Sequence, residues 1–256
     1  MRDWPLYRRW VLANGWSECL GLGATGVLGW WIMRLTGEPA SVVAVLGTAL
    51  LAVTGGVLFE GILVGYAQAR VLHARITNFG SSQWILATAI GAGIAWLLGM
   101  IPSTAMALAG PAAAGEPPAW LGGPAQYLLA AAMGLVLGPI LGIPQMLVLR
   151  WSVPRASRWV LANALAWMVG MPLVFLGAGA VPDATSAVVA MTILGLTCLT
   201  AGIVVGAVHG LFLIWLLADP SFVGPASHRD DLLSISTAYR RTPAPRSRAK
   251  PARRPA

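Results

Sequence analysis

Six apolar runs, separated by basic or turn-forming residues, set the pattern of the chain. They lie at about 10–33, 41–69, 83–101, 124–149, 159–181 and 186–217. Each is about 20 residues or longer, the length a helix needs to cross a hydrocarbon core of roughly 30 Å. Thr36-Gly37-Glu38-Pro39 reads as a tight turn between the first two. Pro102 is expected to stop the third, and Asp219-Pro220 to stop the sixth, because proline cannot continue a helix. Residues 102–124, rich in Ala, Gly and Pro, make the longest internal loop.

The runs are not independent. Gly138, Gly142 and Gln145 set out G-x-x-x-G-x-x-Q, which recurs as Gly61, Gly65, Gln68 and, with His in place of Gln, as Gly202, Gly206, His209. Trp159-Val-Leu-Ala-Asn163 recurs as Trp10-Val-Leu-Ala-Asn14 and as Trp84-Ile-Leu-Ala-Thr88. One hairpin is therefore repeated three times, at about 10–75, 83–150 and 159–217. Glycines four apart on an apolar helix let a neighbouring backbone come close, within the monomer first and between copies second. Trp10, Trp84 and Trp159 each open an outgoing helix, where an aromatic belt at headgroup level accounts for them.

Composition agrees with the pattern. Apolar residues are 57% of the chain, charged residues 10%, and mean hydropathy is +0.72, whereas soluble domains carry about a quarter charged residues. The net charge of +8 does not imply nucleic acid, because the charge gathers at segment ends and in the tail. The N-terminus, the 70–82 and 150–158 turns and the tail hold 3, 2, 3 and 8 of the 17 Lys and Arg, and the opposite turns hold only Arg34. By the positive-inside rule both termini face the cytoplasm. Arg2, Arg8 and Arg9 resemble a signal-peptide start, but the run after them is too long for one and belongs to the repeat. Cys19 and Cys198 both lie in apolar runs and form neither a disulfide framework nor a zinc spacing.

The expected fold is an all-α integral membrane protein of the cytoplasmic (inner) membrane. Six transmembrane helices form three parallel two-helix repeats in a pseudo-three-fold bundle, with a linear row of hairpins as the alternative. Residues 1–9 form a cytoplasmic N-terminus, 10–217 the membrane domain, and 218–256 a basic, Pro-rich, disordered cytoplasmic tail. That tail suits anionic lipid. A membrane-protein partner or a homo-oligomer is the other association considered.

Candidate chemistry is sparse. Asn14, Thr88 and Asn163 lie four residues beyond their tryptophans, roughly 6 Å deep, and Gln145 roughly 7 Å deep, at 1.5 Å per residue. With Gln68 and His209 at the matching repeat positions, every helix offers one hydrogen-bonding side chain in a common layer. Such a layer serves either as a ring of interhelical bonds or as a polar vestibule. Pro139, Pro144 and Pro172 lie inside helices and free carbonyls one turn back. Glu18 and Glu60 depart from the repeat, whose matching positions hold Ala92 and Trp167, and Leu137 and Ala201. An intramembrane carboxylate costs about 2.5–3.5 kcal/mol on insertion scales. Roughly 12 and 15 Å deep on consecutive helices, the two carboxyls could share a proton or bind a cation, with His209 as the imidazole able to join them.

The path from G-x-x-x-G-x-x-Q through a leucine-rich basic turn to W-V-L-A resembles a loose group of uncharacterised multi-pass bacterial membrane proteins. The resemblance spans most of 10–217, although Ala69, Met146 and Gly210 stand where that group has Trp. It implies no activity. No phosphate loop, nucleophile elbow or zincin helix is present, so neither an enzyme nor a cofactor is expected. A structural or assembly subunit ranks first among the functional readings. A small-solute or ion transporter using Glu18 and Glu60 ranks second.

Topology is testable directly. Alkaline phosphatase fused after the tail should be inactive, and fused within 102–124 it should be active; the reverse pattern would refute the orientation.

Overall fold

The computed structural model describes residues 3–36, 41–109, 123–181, 186–219 and 222. The described residues form six helices and no strand: α1 (Trp4–Thr36), α2 (Val42–His73), α3 (Ser81–Ala109), α4 (Pro124–Leu149), α5 (Arg158–Gly179) and α6 (Ala187–Leu217). Five of these, α2 to α6, are long and apolar enough to cross a membrane. α1 is 33 residues long but carries Arg8, Arg9, Glu18 and Arg34.

Helix starts follow local chemistry. The Ser41 and Ser186 hydroxyls accept from the backbone N–H of Ala44 and Val189, so each caps the first turn of its helix. α4 begins at Pro124, just after Gly123 at φ +64°, a left-handed conformation that suits a residue without Cβ. α1 begins at Trp4, ahead of the apolar run that starts at Trp10. One expectation needs correction. α3 runs past Pro102 to Ala109; in a membrane helix a proline is tolerated where neighbours re-satisfy the freed carbonyl. The expected turn at 37–40, most of the long loop (110–122) and the tail from 223 onward lie outside the described residues.

Each helix packs against the next, and α6 returns to α1. Glycine sets three of these contacts. A Cβ at Gly61 or Gly65 would meet the α3 backbone at Ala89 and Ile85; at Gly138 it would meet Asn163 and Ala164 of α5. A Cβ at Gly202 would meet Asn14 and Glu18 of α1, and one at Gly206 would meet Val11 and Asn14. So the helix carrying each glycine pair lies backbone to backbone on the helix that follows it, and for α6 that helix is α1.

The apolar core lies at the end that carries the basic turns. Leu72 and Leu149, each four residues past its Gln, and Leu213, four past His209, are buried there with Ile76, Val153 and Leu216. Trp10, Trp84 and Trp159 are fully buried at its centre, with the Trp159 ring 5.7 Å from Trp10 and 5.9 Å from Trp84. Their expected role as a headgroup belt is therefore wrong. Trp10 and Asn14 are i, i+4 neighbours on one helix face, and that face points inward. Elsewhere the outward positions are large apolar side chains such as Leu12, Leu50, Leu86, Leu128, Leu161 and Leu196.

Gly138 and Gly195 separate packing from propensity. Gly138→Ala should cost about 1–3 kcal/mol, as overpacking does in a filled core. Gly195, with nothing within 4 Å of its would-be Cβ, should accept Ala without loss. Unfolding midpoints in mixed micelles would measure both, and equal effects would contradict the close approach of α4 and α5.

Candidate functional site

All eight residues singled out from the sequence line one internal cavity of about 20 Å³: Asn14, Glu18, Glu60, Gln68, Thr88, Gln145, Asn163 and His209. Each is at most 7% exposed. A cavity of this size holds one water, provided polar partners surround it.

Most of the amide layer is bonded across helices. Gln68 Nε2 donates to Asn14 Oδ1 at 2.8 Å, joining α2 to α1. Gln145 Nε2 donates to Thr88 Oγ1 at 3.0 Å and to Gln68 Oε1 at 3.3 Å, joining α4 to α3 and α2. The tryptophans complete the set: Trp84 Nε1 donates to Gln68 Oε1 at 3.2 Å and Trp159 Nε1 to Gln145 Oε1 at 2.8 Å. Asn14, Thr88 and Asn163 each also donate to the carbonyl of the tryptophan four residues back, at 2.8, 2.9 and 2.9 Å. The indole donors were missed from sequence because depth alone does not say which way a ring points.

The joint between α6 and α1 is different. At the matching positions stand His209 and Trp10, and Trp10 Nε1 and both His209 nitrogens are buried without a hydrogen-bond partner among the described residues. His209 instead lies with its ring 5.1 Å from that of Trp159. Glu18 Oε2 is likewise buried and unpartnered. Such orphaned polar atoms are rare in folded proteins and call for a bound water, an ion or a working role.

Glu60 is enclosed by glycines and one indole. It lies in a π-helical turn, Gly56–Gly61, inserted in α2. Single π turns of this kind re-aim a side chain and gather at functional sites. The turn fits because its glycines make room: a Cβ at Gly56 would strike the Trp96 ring, one at Gly61 the α3 backbone. From α1, Gly21 sits against the Phe59 carbonyl and the Glu60 Cα. Trp96 Nε1 then donates to Glu60 Oε2 at 2.6 Å. Neither Trp96 nor the π turn stands out in the sequence, since a tryptophan in an apolar run and an uninterrupted helical pattern carry no signal.

Beyond Glu60 lies a second pocket of about 250 Å³, lined by Met100, Met133, Met171 and Phe175 among others. Glu60, Leu141 and Trp167 line both cavities and so form the partition between them. Glu60 is the one ionisable member of that partition. Among the described residues no three His, Cys, Asp or Glu converge as metal ligands would. No protein-family model matches the chain, nor does any curated protein or solved structure, so geometry alone carries the chemistry of this site.

The indole bonds can be tested against each other. Trp159→Phe leaves Gln145 Oε1 short of a donor, whereas Trp10→Phe removes an N–H that has no acceptor. Both lose similar ring volume, so Trp159→Phe should cost about 1–3 kcal/mol more, the penalty for a buried group left unpaired. Chemical unfolding in lipid–detergent micelles would show it; equal losses would remove the indole bonds from the account.

Proposed function

We propose that the chain is a six-span membrane protein of the cytoplasmic membrane that moves a proton or small cation through Glu60. In this reading α1 is the sixth span and the three hairpins stand around a pseudo-three-fold axis, with both termini on the cytoplasmic side. The cyclic packing of the helices and the return of α6 to α1 support it. The observation that carries the functional part is the partition: one buried carboxyl faces a small polar cavity on one side and a methionine-lined pocket on the other.

The chemistry is simple. A carboxyl in low dielectric holds a proton or pairs with a cation, because an unpaired charge there is expensive. Glu18 lines the same polar cavity, so the two carboxyls share its single space, and two like charges cannot both persist there. Proton or cation exchange with the amide-lined side loads Glu60. Movement of Trp96 or Trp167 would open it to the other pocket, whose methionines adapt readily to a small apolar solute.

A scaffold or assembly role remains the second reading, favoured by five interhelical bonds that tie five helices together. One measurement separates the two. Proteoliposomes holding a pH-sensitive dye, polarised by a potassium gradient with valinomycin, should acidify with the wild-type chain. They should not do so with Glu60→Gln, whose melting temperature should match wild type. Acidification that survives Glu60→Gln, or none with wild type in proton, sodium or potassium gradients, would leave the scaffold reading standing.

A further inference from the structure

A further concavity of the described residues takes no part in the site above. It is a groove of about 820 Å³ between α1 and α2, open to the side. Arg9, Arg70 and Arg75 line one end of it, and Leu12, Trp16 and Leu20 continue from there along α1. These three apolar residues are 52%, 60% and 57% exposed.

Charge at the basic end is uneven. Arg75 is taken by Asp3, at 2.5 Å. Arg70 Nη1 donates to the Tyr66 hydroxyl at 3.3 Å and its guanidinium lies 5.9 Å from that ring. Neither Arg9 nor Arg70 has an acidic partner among the described residues. Two cations, one on each helix at the same end of the groove, therefore lack an acidic partner among the described residues and offer donors suited to a phosphate.

Length identifies the source of that phosphate. From Arg9 to Leu20 the groove follows α1 for eleven residues, about 16 Å at 1.5 Å per residue. Half of a bilayer core is roughly 15 Å. A soluble phosphate would use only the arginine end, whereas a lipid would use both the charge and the apolar length. Basic pockets between membrane helices are where anionic headgroups are recognised.

We propose that this groove binds one anionic phospholipid, its phosphate on Arg9 and Arg70 and an acyl chain along Leu12, Trp16 and Leu20. Arg75, already paired with Asp3, closes the headgroup end. Ala13 forms part of the wall, so a larger residue there obstructs the chain without altering charge.

The test is a lipid titration of the full-length chain in detergent, read by native mass spectrometry. Phosphatidylglycerol is compared with phosphatidylcholine of the same chains and with soluble glycerol phosphate. Phosphatidylglycerol should bind most tightly. Neutralising each arginine should weaken it about fivefold, and Arg9→Gln/Arg70→Gln together about thirtyfold. Arg8→Gln, outside the groove, should change nothing, and Ala13→Phe should weaken binding with both arginines intact. Melting temperatures confirm that each variant is folded. Unchanged binding in Arg9→Gln/Arg70→Gln, equal affinity for phosphatidylcholine, or equal competition by glycerol phosphate would overturn the assignment. The first of these outcomes would move the anionic-lipid contact to the basic tail.

Discussion

A side-chain amide held inside an apolar bundle has little water to turn to, and its partners must come from its own helix or a neighbouring one. Gln68 and Gln145 meet that demand by each engaging several neighbours at once. Gln68 reaches Asn14 and receives Trp84; Gln145 reaches Thr88 and Gln68 and receives Trp159. Each such bond is worth only about 0.6 kcal/mol in measured membrane proteins. Their weight lies in register: a helix that slid by one residue would break several together. The glycine pairs act in the same sense, because they let two backbones come close beside the amides.

Departures from the repeated pattern are concentrated at one joint and one hairpin. Where α6 meets α1, histidine replaces glutamine, and three nitrogens are left without partners. In the first hairpin, Glu18 and Glu60 replace the apolar residues of the other two, and the α2 helix widens into a π turn. The magnitudes argue that these are not incidental. One intramembrane carboxylate costs about 2.5–3.5 kcal/mol, as much as roughly four to six interhelical bonds of the amide layer contribute. The whole amide network thus offsets roughly one of the two glutamates.

Much of this was legible from residue order because the repeat acts as its own alignment. Spacing placed Asn14, Gln68, Thr88, Gln145, Asn163 and His209 in one layer, and all of them line one cavity. The span of α4 was readable to the residue, since Pro124 at its start and the basic turn after Leu149 both mark it. What stayed hidden is azimuth. Trp10, Trp84 and Trp159 sit at the depth of a headgroup belt, and only the partnership of each with the polar residue four positions on says that it faces inward. Trp96 was hidden for a different reason: its role depends on meeting Glu60 across a helix pair, which no local pattern encodes. The passage of α3 beyond Pro102 was misread because a proline removes one backbone bond and can kink a helix without ending it.

The hairpin that carries both glutamates is also the one whose outer face carries the arginine-lined groove. The two features lie on opposite sides of the same helices. Leu12 and Trp16 of α1 point into the groove, while Asn14 and Glu18, each two residues on, line the inner cavity. α2 is arranged likewise, with Tyr66 and Arg70 outward and Gln68 inward. Any rotation of α1 or α2 that brings Glu60 toward one cavity or the other must also turn the groove-lining residues. An occupant of the groove that fits one rotation better than another would bias that motion by its difference in affinity and no more. If the proposed lipid and proton readings both hold, the two would be coupled through α1 and α2, which meet where Gly21 lies against the Glu60 backbone.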